Sequence, residues 1–149
     1  MITKIASAVT EKVLQKMAAV EGVWPASQVR SQNVAADLAE RSAPTHYPAV
    51  HVYCEKLVND LTEKFRSFSG RAHMAIELRY SQDRLEGLAE ALEEGVDAAA
   101  GAIQASRGDW GDGMFYTGAY EAGFSAVKRG GKNFIQVAKV TFEIGVSRN

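Results

Sequence analysis

The stretch that decides the fold is the C-terminal segment 114–146, which reads MFYTGAYEAGFSAV (114–127), KRGGK (128–132) and NFIQVAKVTFEIGV (133–146). Both flanking halves alternate apolar and polar residues, a period of two that is typical of half-buried β-strands. The glycine pair at 130–131 can adopt the positive φ values that a tight turn requires. The sequence therefore predicts a long C-terminal β-hairpin.

The two halves of this hairpin predict one buried face and one solvated face. In the second half, most residues of one parity from Phe134 to Val146 are apolar, whereas Lys139 and Glu143 share the other parity with Thr141. In the first half, large and small side chains alternate toward the predicted core. The large ones are Met114, Tyr116, Tyr120 and Phe124. Long strands also have backbone edges that need a partner, and a neighbouring subunit is one candidate.

Length and composition indicate one domain. A chain of 149 residues with 46% hydrophobic residues can build a single core. Its 17 basic and 18 acidic residues leave a net charge of −1, which lacks the positive excess of a sequence-independent DNA binder. The single cysteine, Cys54, is expected to be a small buried side chain in a strand. No signal-peptide pattern and no apolar run near the ~20 residues of a spanning helix is present, so we expect a cytosolic protein without membrane contact.

The N-terminal third is predicted to be helical. Apolar residues recur at helical spacing in Thr3–Val20, with Thr3 as the cap, and a weaker, alanine-rich pattern covers Ser27–Arg41. The two prolines of Ser42–Pro48 then favour extended backbone and mark a joint. We interpret residues 1–149 as a single domain with a helical extension at 1–43 and the main core at 44–149.

The middle of the chain predicts two strands and two helices. Alternation marks strands at Ala49–Cys54 and Ala72–Tyr80, and a helical stripe favours a helix at Glu55–Phe68. The strongest amphipathic helix is predicted from Asp83 to about Ser106, with Asp83 and Glu86 spaced as a capping box.

These elements together predict an α+β fold. We expect an antiparallel sheet of about four strands that includes the long C-terminal hairpin, one main amphipathic helix packed on the sheet, and the N-terminal helix or helices. The outer face of the main helix carries an acidic stripe with hardly any basic residue beside it, which is ordinarily a solvated surface. The acidic stripe consists of Glu86, Glu90, Glu93, Glu94 and Asp97.

The residue types that carry catalysis or bind metals do not form a recognisable pattern. The histidines His46, His51 and His73 have no metal-ligand spacing among themselves or with the cysteine, and no local motif supports a nucleophile–base pair. Asp109 and Asp112 lie in a glycine-rich loop that weakly suggests calcium or magnesium, but the EF-hand pattern is absent and turn chemistry explains them. We therefore expect no catalytic residues, no cofactor and no metal, with an enzyme or small-molecule-binding α+β domain as the alternative.

Aromatic residues are concentrated near the C-terminal hairpin, with seven of the thirteen between Trp110 and Phe142. Phe115 and Tyr116 are consecutive and in a strand must point to opposite faces. One of them is then either an interface anchor or covered by the N-terminal helix, and both interpretations remain open.

The order strand, connection, strand, helix and long hairpin, with the runs WGDGMFY (110–116), GAYE (118–121) and NFIQVAKVTFE (133–143), resembles the small neck and tail-completion proteins of tailed bacteriophages, particularly tail terminators. The resemblance covers roughly Pro44 to Ser147. It implies an α/β fold with a helix across an antiparallel sheet. It also implies a ring, usually a hexamer, that caps the tail tube or sheath, stops polymerisation and docks the filled head. The stretch from Met1 to about Arg41 departs from the simplest members.

The resemblance implies a non-enzymatic structural protein, located in the tail or neck of the virion and assembled in the host cytoplasm. Its implied partners are further copies of itself, the tail tube or sheath protein and head–tail connector proteins. Another neck protein, a connector or stopper, is the alternative within this class. We expect the entry loop and the start of the hairpin to contact a neighbour through Arg107, Asp109, Trp110, Asp112, Phe115 and Tyr116. If the acidic stripe lines the channel, it would let DNA pass without specific binding.

Overall fold

The computed structural model describes residues 4–31 and 47–149. In these ranges two helices, α1 (Ile5–Ala18) and α2 (Leu88–Gln104), pack on one face of an eight-stranded, mostly antiparallel sheet. The predicted α+β class is confirmed, with more strands than expected. Neither helix within the described ranges combines the length and apolar character needed to cross a bilayer.

The sheet is ordered β1-β2-β3-β8-β5-β4, and β6 and β7 also pair with β8. All of these pairs are antiparallel except β1 with β2. The strands are β1 (Val29–Arg30), β2 (Ala49–Val58), β3 (Phe68–Gln82), β4 (Gly108–Gly111), β5 (Met114–Tyr116), β6 (Tyr120–Phe124), β7 (Lys128–Gly130) and β8 (Asn133–Arg148).

The central strand of this sheet is β8. One of its edges pairs with the whole of β3, from Gln82 opposite Phe134 to Phe68 opposite Arg148. Its other edge pairs in turn with β7, β6 and β5. The predicted hairpin is therefore confirmed, but its first half is three short strands, and its turn uses the positive φ of Gly131, 66°.

Side chains alternate across β3 and β8 as the pattern predicts. Met74, Ile76 and Val140 are among the buried residues that face the helices. Tyr120 and Phe124 were expected in this core and are exposed instead. The reason is that α2 packs over β3 and β8 and leaves β6 uncovered.

Helix α2 buries the predicted apolar stripe, including Leu92, Val96 and Ile103. The capping box is wrong, because the helix begins at Leu88 and its N-cap is Gly87 with a φ of 83°. A left-handed N-cap of this kind is readily adopted by glycine, which has no Cβ to clash.

Helix α1 belongs to the same core as the sheet, since Val9, Val13 and Met17 are completely buried. The indole Nε1 of Trp24 donates a hydrogen bond to the carbonyl oxygen of Met17 at 2.9 Å and covers the C-terminal end of the helix. The helix predicted from Ser27 is wrong for residues 27–31, where a single 3₁₀ turn leads into β1. The rest of that prediction, the Thr3 cap and most of the proline-rich joint lie outside the described residues.

The helix predicted at Glu55–Phe68 is also wrong. Strand β2 continues to Val58 through a bulge between Cys54 and Lys56, and residues 59–67 form a loop. The side-chain Oδ1 of Asn59 accepts a hydrogen bond from the backbone N–H of Ser69 at 3.0 Å. Such side-chain bonds to the backbone compete with helix formation.

Candidate functional site

The most exposed apolar part of the sheet is strand β6. All five of its residues are exposed, with Tyr120 at 39% and Phe124 at 50%. Among the strands that the structure describes, β6 pairs with β8 only, so its outer backbone edge faces solvent. Open edges with apolar side chains are templates for pairing with another chain.

The hairpin formed by β4 and β5, together with the residue just before it, carries the contact residues expected from the sequence. Four of these are exposed: Arg107, Asp109, Asp112 and Phe115. Phe115 is 52% exposed. At the tip, Asp112 has a φ of 54° and its Oδ2 lies 3.7 Å from the Nζ of Lys12. These four residues form a solvent-facing rim, and their contact with a neighbour stays a prediction.

Trp110 and Tyr116, which we expected to contact a neighbour, lie in the core of the subunit, where the alternation had also placed Tyr116. Trp110 is 8% exposed and donates its indole N–H to the carbonyl oxygen of Ser106 at 2.6 Å. The Nζ of Lys16 lies 4.5 Å from the centroid of the Trp110 ring, in the geometry of a cation–π contact. The alternation had placed Tyr116 and Phe115 on opposite faces, with Tyr116 toward the core, whereas Trp110 precedes the alternating segment and no pattern said what covers it.

Tyr116 is fully buried and packs between the rings of Trp110, at 5.9 Å, and Phe142, at 5.5 Å. Its hydroxyl donates to the carbonyl oxygen of Ala119 at 3.2 Å. Burial raises the pKa of Tyr116 to about 12, and nearby Tyr120 adds to the shift. Phe115 and Tyr116 thus point to opposite faces as predicted, with Phe115 in solvent and Tyr116 in the core.

A second exposed apolar site, the loop 59–67, was missed by sequence reasoning. Leu61 and Phe65 have positive φ values of 50° and 70°, and the Phe65 side chain is fully exposed. Non-glycine residues with positive φ are uncommon, and the strain is about 1–3 kcal/mol each. In the sequence, the spacing of these apolar residues resembles the buried face of a helix, and we therefore assigned them to the core and not to an exposed loop.

Hydrogen bonds hold this loop in place. The N–H of Glu63 donates to the Oγ of Ser69 at 2.9 Å, and the N–H of Ser67 donates to the carbonyl oxygen of Arg148 at 3.0 Å. The loop therefore presents Phe65 from a defined backbone. Exposed aromatics on ordered supports are suited to binding a partner.

The acidic stripe is exposed along its whole length, on the outer face of α2 and the turn before it. Its carboxylates lie opposite the apolar face that buries Leu92 and Val96. This surface repels phosphate groups and attracts cations.

A cleft of about 410 Å³ opens where the pairing of β8 passes from β6 to β5. Its lining includes Glu55, His73, Glu121 and Glu143. Two of the three carboxylates have partners, since Glu143 lies 3.4 Å from the Nδ1 of His73, and Glu55 accepts from the Nζ of Lys139 at 2.9 Å. Within residues 4–31 and 47–149, no three His, Cys, Asp or Glu side chains converge as metal ligands.

The face of the sheet away from the helices holds buried polar groups. The hydroxyl of Tyr53 donates to the Oε1 of Glu77 at 2.9 Å, and the guanidinium of Arg79 donates to its Oε2 at 2.8 Å. Burial and the bond to Glu77 raise the pKa of Tyr53. Burial also raises the pKa of the half-buried Cys54 thiol, which disfavours the nucleophilic thiolate. These groups order the sheet and have no nucleophile–base geometry.

Comparisons with known proteins identify a shared fold. No protein-family model matches the chain, and no curated protein matches it. Among solved structures, the chain is similar to a chain of the "Virion of native gene transfer agent (GTA) particle", with a TM-score of 0.56 and 15% sequence identity. The match covers 97% of this chain and 99% of that chain, and at this identity it shows a shared fold alone.

Proposed function

We propose that this chain is a structural protein of a phage-like virion. More specifically, we propose a ring-forming tail terminator that caps the tail tube or sheath and joins the tail to the head. The observation that carries the proposal is the fold shared over 97% of the chain with a component of a gene transfer agent virion. The tail-terminator role rests in addition on the resemblance of the hairpin and its entry loop to that class.

The distribution of exposed apolar residues supports assembly. Phe65, Phe115 and Phe124 are each at least half exposed and lie on three different elements. A closed ring uses heterologous contacts, in which one surface of a subunit meets a different surface of the next. Separate apolar surfaces on one small subunit suit both the contacts within a ring and the contact with a tube or head protein.

We further propose that the acidic stripe faces the channel of the ring and lets DNA pass without binding it. The supporting observation is that all five carboxylates are exposed on one side of α2 and the turn before it. Locating α2 on the outer wall of a reconstructed ring would contradict this part of the proposal and leave the ring itself unaffected.

The alternative functions differ in the partner that the protein would bind. A connector or stopper would bind the head side of the neck, whereas a terminator binds the end of the tail tube or sheath. An enzyme or small-molecule-binding domain would use the cleft lined by His73 and Glu143. In that case Glu143→Gln would abolish ligand binding and leave assembly intact.

The experiment that tests the proposal combines mass in solution with negative-stain images, for the protein alone and mixed with tail tubes. We expect closed rings, alone or on the ends of tubes. A strict monomer that forms no ring even with tubes contradicts the proposal. Solution mass alone does not decide, because terminators of this class can stay monomeric until they meet the tube.

A further inference from the structure

Among the described strands, β2 also has an outer edge that is unpaired over most of its length. Strand β1 pairs only with Val50 and His51, so among the described strands nothing pairs with the outer side of β2 from Val52 to Val58. The residues Glu55 to Leu57 on this edge are exposed. The outer edges of β2 and β6 lie on opposite sides of the sheet, since β3 and β8 separate β2 from β6.

The directions of the strands suit pairing between copies. Each of the steps β2 to β3, β3 to β8 and β8 to β6 is antiparallel, so β6 runs opposite to β2 within the sheet. If the copies in a ring are related by rotation about an axis roughly parallel to the strands, each strand keeps its direction from one copy to the next. The β2 edge of the next copy in a ring would then meet β6 as an antiparallel neighbour, whichever face of the sheet turns toward the axis.

The side chains on the two edges are complementary. Leu57, 41% exposed, and Tyr120 both point to the helix side of the sheet, as their registers with β3 and β8 show. Lys56 and Glu121 both point to the other side and are exposed. Aligning Leu57 with Tyr120 keeps the apolar faces together and also sets Lys56 opposite Glu121, a favourable cross-strand pair.

We propose that β6 of one copy pairs antiparallel with the outer edge of β2 in the next copy, with Tyr120 opposite Leu57 and Glu121 opposite Lys56. This edge pairing rests on the proposed function, because it is the contact that would build the ring. It satisfies two open backbone edges at once and makes the intersubunit contact heterologous.

The same register brings the native cysteine to the contact. If the bulge residue Glu55 is the unpaired one, Cys54 comes opposite Ala122, and both side chains point to the helix side of the sheet. The groove of about 310 Å³ between α1 and this edge is lined by Leu14 and Cys54, and also by Ser31, the residue that follows β1.

The register is tested by a disulfide between subunits that uses the native cysteine. The substitution Ala122→Cys would face Cys54 of the neighbouring copy in the proposed register. Within one subunit, Cys54 and residue 122 are three strand spacings apart, about 14 Å, well beyond the ~7 Å limit for a disulfide. Any bond between them must therefore join two subunits.

We expect Ala122→Cys rings, oxidised mildly with glutathione disulfide, to give a ladder of covalent multimers on a denaturing gel, and a reductant to collapse it. Gly123→Cys, on the opposite face of β6, is the matched control and should give at least about tenfold less cross-linking. Cys54→Ser combined with Ala122→Cys should give none. Rings that form normally without the ladder would overturn the edge pairing.

A charge exchange gives a second, independent test. Glu121→Lys and Lys56→Glu each place like charges across the proposed contact and should lower the ring fraction at least about tenfold, and the double variant should restore it. Both side chains are exposed in the subunit, so folding should be unchanged. Single variants that assemble like the wild type would overturn the edge pairing but leave the proposed ring. Absence of rings from the wild type, even with tail tubes, would instead contradict the proposed function.

Discussion

Two glycines in helix α2 lead to opposite predictions for the same substitution. A Cβ added at Gly101 meets no atom within 4 Å, whereas a Cβ added at Gly95 would lie 2.5 Å from the hydroxyl oxygen of Tyr80 and 3.0 Å from its ring. Both positions are inside the helix. Comparing Gly→Ala at these two positions therefore separates the effect of helix propensity on stability from the effect of packing the helix on the sheet.

The expected magnitudes follow from these distances. Gly→Ala in an exposed helix interior stabilises by about 1 kcal/mol, so we expect Gly101→Ala to raise the free energy of unfolding by that amount. Gly95→Ala gains the same propensity but overpacks the contact with Tyr80, which costs about 2 kcal/mol, so the net effect is a loss of about 1 kcal/mol. For 149 residues, 1 kcal/mol corresponds to a shift in Tm of about 3 °C.

Thermal and urea unfolding of both variants, followed by circular dichroism, measures this difference. We expect the two Tm values to differ by about 6 °C, with Gly101→Ala above the wild type and Gly95→Ala below it. In a Tyr80→Ala background, Gly95→Ala should become stabilising. If Gly95→Ala stabilises the wild type as much as Gly101→Ala does, the packing of α2 on β3 described above is wrong.

Three further predictions concern the core and its pH dependence. Met17→Ala should lower the free energy of unfolding by about 2–5 kcal/mol in urea titrations, because Met17 is fully buried. The control Gln15→Ala, at an exposed position of the same helix, should change it by less than about 0.5 kcal/mol. Equal effects of the two substitutions would place α1 outside the core. Trp110→Ala should lower the free energy of unfolding by about 3–5 kcal/mol, because the side chain is buried. Phe115→Ala should leave the free energy of unfolding unchanged and reduce ring formation. The reverse result would exchange the roles of these two aromatics. The pKa of Tyr116 is raised to about 12 from an unfolded value of 10.0, so the stability from its buried neutral phenol is complete below pH 10 and is lost as pH rises toward 12. Urea midpoints measured from pH 9 to 12 should fall over that window and fall less in Tyr116→Phe; a flat profile in the wild type would contradict the assignment.

The elements predicted well from the sequence are those whose pattern is local and strong. The apolar stripe of α2 and the alternation in β3 and β8 each specify both the element and its buried face. The register between β3 and β8, and the extension of β3 to Gln82, depend on contacts between residues far apart in the chain. No local pattern contains them.

The errors have a common physical origin, since side-chain type alone does not say what covers a residue. Leu61 and Phe65 have the spacing of a helical core face, yet they lie in an exposed loop. Its backbone N–H groups donate hydrogen bonds to the side-chain oxygens of Asn59 and Ser69. Conversely, Trp110 looked like an exposed aromatic beside a turn and is buried. In both cases the long-range packing of the sheet and helices decided the outcome.

The same limit applies to the candidate site. The open edge of β6 was anticipated only as a property of a long hairpin. The structure adds that α2 leaves this strand uncovered and that, among the described strands, the outer edge of β2 beyond His51 is unpaired on the opposite side of the sheet. The proposed ring contact depends on this arrangement, which no single segment encodes.

Electron microscopy of the protein bound to tail tubes tests the central claim most directly. We expect a closed ring of this chain, with cyclic symmetry, on one end of each tube, and tubes that stop growing once the ring is bound. Tubes that remain bare and keep elongating in the presence of a folded, monomeric protein would contradict it.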